Sequence, residues 1–98
     1  MIKALVPDLL FRSKIEETAK QLNKEVVFVD SEEKLSGASL AIVDLAKVDL
    51  DKIPPGNIIG YCPHIEIELQ KRAKEKNIKV FTRSLFVKEL PQLLENQP

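Results

Sequence analysis

The sequence predicts a single α/β domain in which a five-stranded parallel sheet is covered by helices on both faces. Short runs of apolar, often β-branched residues alternate along the chain with segments whose apolar residues recur at helical spacing. The apolar runs are continuous, which is typical of strands buried on both faces of a parallel sheet. Because 98 residues suffice for one core but not for two, we expect residues 1–98 to form one domain.

Five apolar runs give the predicted strands. They are Ile2–Val6, Val26–Val29, Leu40–Val43, Ile58–Tyr61 and Ile78–Phe81. Helical segments between the strands imply right-handed crossovers and therefore a three-layer sandwich. With five strands, this pattern favours the strand order 2-1-3-4-5 of the flavodoxin-like fold.

Apolar residues at helical spacing predict three helices. These residues are Phe11, Ile15, Ala19 and Leu22, then Ile65, Leu69 and Ala73, and finally Phe86, Leu90, Leu93 and Leu94. Asn23 suits the left-handed position just past the first helix, and the second helix is expected to stop near Asn77. Pro91 lies within the third pattern, where it either kinks the helix or starts a new one.

The two remaining connections are short, so the helices that follow strands 2 and 3 in this fold are expected to be reduced. The segment from Asp30 to Ser39 has room for about two turns of helix. Asp30 and Glu33 have the spacing of a capping box at its start. The segment from Leu45 to Gly56 has room for a 3₁₀ turn but not for a regular helix.

Polar side chains follow every predicted strand at its carboxyl end, where parallel α/β sheets bind their ligands. They are Asp8, Asp30, Asp44, Cys62 with His64, and Arg83 with Ser84. Because strands 1 and 3 are central in the predicted order, we expect Asp8, Asp44 and Arg83 to converge. We treat these three residues, with Cys62 and His64, as the candidate pocket.

Through three motifs at the strand ends, the sequence resembles the receiver domain of bacterial response regulators, and the resemblance covers nearly the whole chain. They are Leu5-Val6-Pro7-Asp8 leading into a helix, Ala41-Ile42-Val43-Asp44 ending strand 3, and Val80-Phe81-Thr82-Arg83-Ser84 ending strand 5. The resemblance implies that Asp44 stands at the phosphate-accepting position. It also implies that Asp8 is one member of an acidic pair, so that Asp8 and Asp44 are candidate magnesium ligands.

The sequence departs from the receiver pattern at three positions. Pro7 or Leu9 replaces the second acid, Cys62 or Pro63 replaces a Thr or Ser, and Arg83 replaces a lysine. The lost acid weakens a magnesium site, and neither a thiol nor a proline reproduces a hydroxyl. An arginine can bind one carboxylate through two hydrogen bonds. We therefore expect a degenerate pocket in which Asp44 pairs with Arg83 and no cofactor is needed.

The expected charge interactions favour a pocket in which Arg83, and not a magnesium ion, neutralises the carboxylates. Two carboxylates about 5 Å apart repel by roughly 3 kcal/mol at an effective dielectric constant of about 20. The charge of Arg83 at a similar distance would offset most of that repulsion. A pocket neutralised by its own arginine gains less from magnesium, and phosphoryl transfer without magnesium lacks its main charge stabilisation.

The leading hypothesis is thus a non-enzymatic, receiver-like regulatory or protein-interaction module. One alternative is an active phosphoryl-accepting receiver that uses Asp44 with Asp8 and magnesium. Another is a small-molecule or anion binder that uses Arg83 and the amino end of the first helix. A simpler role also stays open for Asp8, which can serve as a helix N-cap. Cys62 and His64 could form a metal site or a nucleophilic pair, but the sequence lacks further ligands at a matching spacing.

The candidate interface is an apolar patch made of Ile67, Leu85 and Val87. Ile67 lies off the apolar stripe of its helix and is expected to point outward. The patch falls on the face formed by the helix after strand 4, by strand 5 and by the last helix. The resemblance implies that a protein partner or a second copy binds there.

The composition also restricts the classes of partner and the location that we expect for the protein. Fifteen basic and fifteen acidic residues cancel, so no global field draws the protein to nucleic acid or to an anionic membrane. The single cysteine, Cys62, excludes an internal disulfide and fits a reducing cytoplasm. The first residues also lack the pattern of a signal peptide, because charged residues and a proline interrupt the apolar run. We therefore expect a cytoplasmic protein.

Overall fold

The computed structural model describes residues 1–63 and 66–96. Its five strands are β1 (Ile2–Leu5), β2 (Val26–Phe28), β3 (Leu40–Asp44), β4 (Ile58–Cys62) and β5 (Lys79–Thr82). They form one all-parallel sheet in the order β2-β1-β3-β4-β5. The predicted flavodoxin-like topology is confirmed, and no strand boundary differs from the predicted one by more than one residue.

The α-helices are α1 (Leu9–Gln21), α2 (Ile67–Glu75) and α3 (Arg83–Glu95). Asn23 and Asn77 follow α1 and α2 with φ angles of 58° and 63°, the left-handed conformation that ends a helix. α3 continues through Pro91 as one helix, so Pro91 does not start a new one. The first residue of the predicted α2 stripe, Ile65, lies outside the described residues.

The two short connections contain single 3₁₀ helices, at Glu32–Leu35 and Leu50–Lys52. The predicted capping box is wrong, because the Asp30 carboxylate accepts a hydrogen bond from Lys34 Nζ at 2.7 Å and the residue that precedes the first 3₁₀ helix is Ser31. A lysine one helical turn away competes successfully for that carboxylate. The backbone N–H of Asp49 donates to Glu32 Oε2 at 2.8 Å and ties the two connections together.

Successive strand residues point to opposite faces of the sheet and build two separate cores. The α1/α3 face contains residues of both helices, Val6 just after β1, and the strand residues Ile2, Ala4, Leu40, Ile42, Ile59, Tyr61 and Phe81. The α2 face contains Ala73, residues of both 3₁₀ helices, and the strand residues Leu5, Ala41, Val43, Ile58 and Cys62. This division decides which polar residues at the carboxyl edge can meet.

Candidate functional site

The strand register brings the carboxyl ends of β1, β3 and β4 together at one edge. Leu5 pairs with Val43, and Asp44 pairs with Tyr61. Asp8 follows β1 at the same edge, and Arg83 follows β5 directly. The predicted convergence of three polar residues on this edge is therefore realised by the topology, while their contacts differ from those we expected.

Asp44 is a buried carboxyl group, with 1% of the residue exposed. Its Oδ1 accepts a hydrogen bond from the Ala46 N–H at 3.1 Å, an Asx turn that ends β3. Burial raises the pKa of Asp44 above its usual value, and the charge of Asp8 adds to that rise. The Ala46 N–H and the charges of Arg83 and Lys47 oppose it. Asp44 is thus held mainly by the backbone at its own strand end.

Arg83 does not form the predicted ion pair with Asp44. Among the described residues, no nitrogen of Arg83 lies within 4.0 Å of an Asp44 oxygen. The guanidinium carbon lies 5.9 Å from the ring centroid of Phe11, and the residue is exposed. A buried ion pair would require both charges to leave water, whereas a position over a ring keeps the cation hydrated.

Asp8 is the N-cap of α1. Its Oδ1 accepts hydrogen bonds from the backbone N–H groups of Leu10 at 2.8 Å and Phe11 at 3.4 Å. These are donors that a helix start otherwise leaves without an intrahelical partner. The simpler of the two roles considered for Asp8 is the one observed. The same bonds occupy amides that a bound anion would use at the amino end of α1.

Tyr61 is a residue of the site that the sequence predicts only as the end of a strand. It is fully buried on the same face as Asp44, and its ring stacks between Phe11 and Phe86 at centroid distances of 4.6 and 4.8 Å. Its hydroxyl has no hydrogen-bond partner in the described part of the chain. Burial, followed by the charges of Asp44 and Asp8, strongly raises the pKa of Tyr61. The phenol therefore stays protonated beside the buried carboxyl group.

Cys62 does not join the candidate pocket. It lies one residue beyond Tyr61 in β4 and packs in the core of the α2 face, where none of it is exposed. Burial raises the pKa of the Cys62 thiol, so the group is a poor nucleophile. The expectation that Cys62 shares a pocket with Asp8 and Arg83 fails because adjacent strand residues point to opposite faces. His64 lies outside the described residues.

The carboxylates proposed as magnesium ligands are a poor match to that ion. One carboxylate oxygen of Asp8 and one of Asp44 accept hydrogen bonds from backbone N–H groups, and Asp44 is buried. Magnesium requires near-octahedral oxygen coordination and retains several water molecules. Over residues 1–63 and 66–96, no group of three or more His, Cys, Asp or Glu side chains is arranged to hold a metal.

The predicted interface residues occupy different environments. Ile67 is 72% exposed, as its position off the apolar stripe predicts, and Leu85 is 42% exposed. Val87 is partly buried against the core of the α1/α3 face and borders a depression with Leu10 and Phe11. Two residues of a helix that are two positions apart lie about 200° apart around its axis, which explains the separation of Leu85 from Val87. That the three residues form an interface stays a prediction.

The fold and its carboxyl edge define an α/β domain of flavodoxin-like topology with a buried Asp44 beside Tyr61. Comparison with protein-family models, with curated proteins and with solved structures found no match. None of the helices in the described part of the chain has the length and apolar character to cross a membrane.

Replacing Asp44 with asparagine tests the burial of this carboxyl group. A raised pKa means that the folded state holds the proton more tightly than the unfolded state. The resulting stability is complete below the unfolded pKa of about 3.9 and is lost as the pH rises through the folded pKa. Asparagine carries no charge and keeps an oxygen for the Ala46 N–H. We expect Asp44→Asn to be more stable than the parent at neutral pH by about 1 kcal/mol.

Urea unfolding from about pH 3 to about pH 8 measures this difference. The advantage of Asp44→Asn is expected to shrink towards acid pH, where the parent carboxyl is protonated. The exposed carboxylate variant Glu95→Gln is the matched control for a general change in net charge. Parallel stability curves for Asp44→Asn and the parent would contradict a buried, proton-retaining carboxyl group.

Proposed function

We propose that this protein is a non-enzymatic, receiver-like regulatory module that acts by binding another protein or a second copy of itself. One observation carries the proposal: Asp44, which the resemblance puts at the phosphate-accepting position, is 1% exposed. In-line phosphoryl transfer needs a carboxylate oxygen that the phosphoryl donor can approach directly. A carboxyl group enclosed by the sheet edge does not offer that approach.

The electrostatics of the edge support the same function. Phosphoryl transfer depends on cations that neutralise the charge spread over the transferring group. One oxygen of Asp8 and one oxygen of Asp44 accept hydrogen bonds from backbone N–H groups, and Arg83 lies over the ring of Phe11. The carboxyl group of Asp44 and the ring of Tyr61 are both buried side by side, so neither is presented to a substrate in solution.

The surface supports a binding role. In the part of the chain that the structure describes, four large apolar residues of the helices are exposed, at 73% for Leu9, 82% for Leu10, 72% for Ile67 and 42% for Leu85. Exposed apolar residues that cluster are typical of surfaces that meet other proteins. We propose that the face of α2, β5 and α3, with Ile67 and Leu85, binds a partner or a second copy. The free, buried thiol of Cys62 supports a cytoplasmic location for this module.

Titration with magnesium and beryllofluoride, a mimic of a phosphoryl group, tests the proposed function. Backbone amide shifts of the isotope-labelled protein are followed in the parent and in Asp44→Asn. We expect no saturable shift at Asp44, Leu45 or Ala46 in either protein, because Asp44 is enclosed. Saturable shifts centred on Asp44 that disappear in Asp44→Asn would establish the active phosphoryl-accepting receiver instead.

A further inference from the structure

We propose that the depression between α1 and α3, bordered by Leu10, Phe11, Lys14 and Val87, binds an amphipathic helix with acidic flanks from a partner protein. This inference rests on the proposed function, because it takes the protein to be a binding module. It assigns that module a second surface and a class of partner. The surface lies on the α1 side of α3, away from Ile67 and Leu85.

The first observation is the exposure of two leucines in the first turn of α1. Leu9 and Leu10 are 73% and 82% exposed, although the apolar stripe that anchors the helix is made of Phe11 and Ile15. A helix that only covers a sheet carries polar residues on its outer face. Leu10 borders the depression, so its exposed side chain is the one that a partner at this site would cover.

The second observation is the shape of the surface beside Leu10. The depression has a volume of about 200 Å³, and Phe11 and Val87, both partly buried against the core, border it. Its walls belong to two neighbouring helices. An open, largely apolar depression of this size suits one aliphatic or aromatic side chain, as in the binding of an amphipathic helix between two helices.

The third observation is the charge around the depression. Lys14 borders it, and the guanidinium of Arg83 lies over the ring of Phe11. Over the described ranges, neither cation has a carboxylate within 4.0 Å. A partner that presents carboxylates beside its apolar side chain would complement both cations, and complementary charge favours the correct partner and its rapid association.

This geometry favours a peptide over a membrane. A helix that binds a bilayer inserts a whole apolar face, whereas the apolar face of α1 is buried in the core through Ile15 and Ala19. Only the first turn of α1 and the neighbouring side of α3 remain for contact. One inserted side chain with acidic neighbours matches that small area better than a flat lipid surface does.

The test uses two synthetic helical peptides of about 15 residues. Both carry leucines at helical spacing along one face; the other positions are rich in glutamate in the first peptide and in lysine in the second. Fluorescence anisotropy measures their affinity for the protein of residues 1–98. We expect saturable binding of the glutamate peptide, with amide shifts at Leu10, Lys14 and Val87, and affinity for the lysine peptide at least tenfold lower, a difference of about 1.4 kcal/mol.

Two matched variants locate the site. Leu10→Ser is expected to weaken binding of the glutamate peptide about tenfold. Leu9 is also exposed but does not border the depression, so Leu9→Ser is expected to change binding less than about twofold. Lys14→Glu is expected to reverse the preference between the two peptides. All three residues are exposed, so circular dichroism should show an unchanged fold.

Several results would overturn the inference. They are the absence of saturable binding at millimolar peptide, equal affinity for both peptides, and equal effects of Leu9→Ser and Leu10→Ser. Binding to anionic vesicles in place of the peptides, or a dimer that Leu10→Ser dissociates, would assign the surface to a lipid or to a second copy. The magnesium and beryllofluoride titration reports on Asp44 alone, so the proposed function and this inference can fail separately.

Discussion

Replacing Phe86 with alanine is expected to lower the free energy of unfolding by about 3 to 5 kcal/mol. Phe86 is fully buried, and its ring centroid lies 4.8 Å from that of Tyr61 and 6.3 Å from that of Phe11. Its ring therefore packs α3 against Tyr61 of β4 and lies near Phe11 of α1. Alanine would remove this contact area and leave a cavity that the rigid sheet cannot close.

Urea unfolding, followed by far-ultraviolet circular dichroism, measures the loss. Since small domains are stable by only about 5 to 15 kcal/mol, we expect Phe86→Ala to unfold at a markedly lower urea concentration than the parent. Leu85→Ala, at the neighbouring exposed position, is the matched control and should cost less than about 0.5 kcal/mol. A cost below about 1.5 kcal/mol for Phe86→Ala would contradict the central role of the aromatic stack.

The same stack explains why the candidate site is rigid. The Tyr61 ring is held between Phe11 and Phe86, so its hydroxyl is fixed at the level of Asp44. Aromatic pairs at these distances add to the stabilisation from burial alone. For a phosphoryl group or a hydrated ion to reach Asp44 past this ring, the stack would have to open at the cost of its packing. The proposed loss of acceptor function therefore has its origin in packing as well as in charge.

The strands could be predicted because a parallel sheet leaves a direct signal in the sequence. Runs such as Leu40–Val43 are apolar at every position, since both faces of the sheet are buried. The ends of the first two helices could also be predicted from a local signal, because Asn23 and Asn77 tolerate the left-handed backbone conformation that the chain needs there. Each of these signals depends on only a few neighbouring residues.

The site could be predicted only in part, because it depends on register. The sequence shows which polar residues follow each strand, and Asp8, Asp44 and Arg83 do end at one edge. It does not show which face each residue takes, and a shift of one residue reverses that face. Cys62 therefore faces the opposite core, while Tyr61, one residue earlier, lies beside Asp44.

The direction of side chains was the second feature of the site that the sequence could not predict. Arg83 was expected on Asp44 by charge alone, yet the guanidinium lies over Phe11, where it avoids the desolvation that a buried pair demands. The capping box failed for a similar reason, because Asp30 has a competing partner in Lys34. Both errors come from choosing a partner by charge or spacing without knowing what else lies within reach.

Gly60 is the second position where a small change should have a large effect. Its conformation is not left-handed, so an alanine there is limited by space and not by backbone strain. A Cβ atom would lie 2.6 Å from Leu45 Cγ and 2.7 Å from Leu45 Cδ2. Leu45 is 1% exposed and has little freedom to withdraw. We expect Gly60→Ala to cost about 1 to 3 kcal/mol.

A double-mutant cycle isolates the cause. Leu45→Ala alone should cost about 2 to 5 kcal/mol, because it leaves a cavity in the core of the α2 face. In the double variant the new methyl group occupies part of that cavity. The combined cost should therefore be smaller than the sum of the single costs by at least about 1 kcal/mol, as measured by urea unfolding. Simple additivity would show that Leu45 does not restrict position 60.

The cycle also bears on the candidate site, because Leu45 directly follows Asp44 and its backbone N–H donates to the Tyr61 carbonyl at 3.0 Å. A side chain at position 60 would push on Leu45 and so on the backbone that holds Asp44 beside Tyr61. Amide shifts at Asp44 and Ala46 should therefore change in Gly60→Ala and return towards the parent values in the double variant. If they do, the glycine in β4 maintains the register that keeps the carboxyl group enclosed.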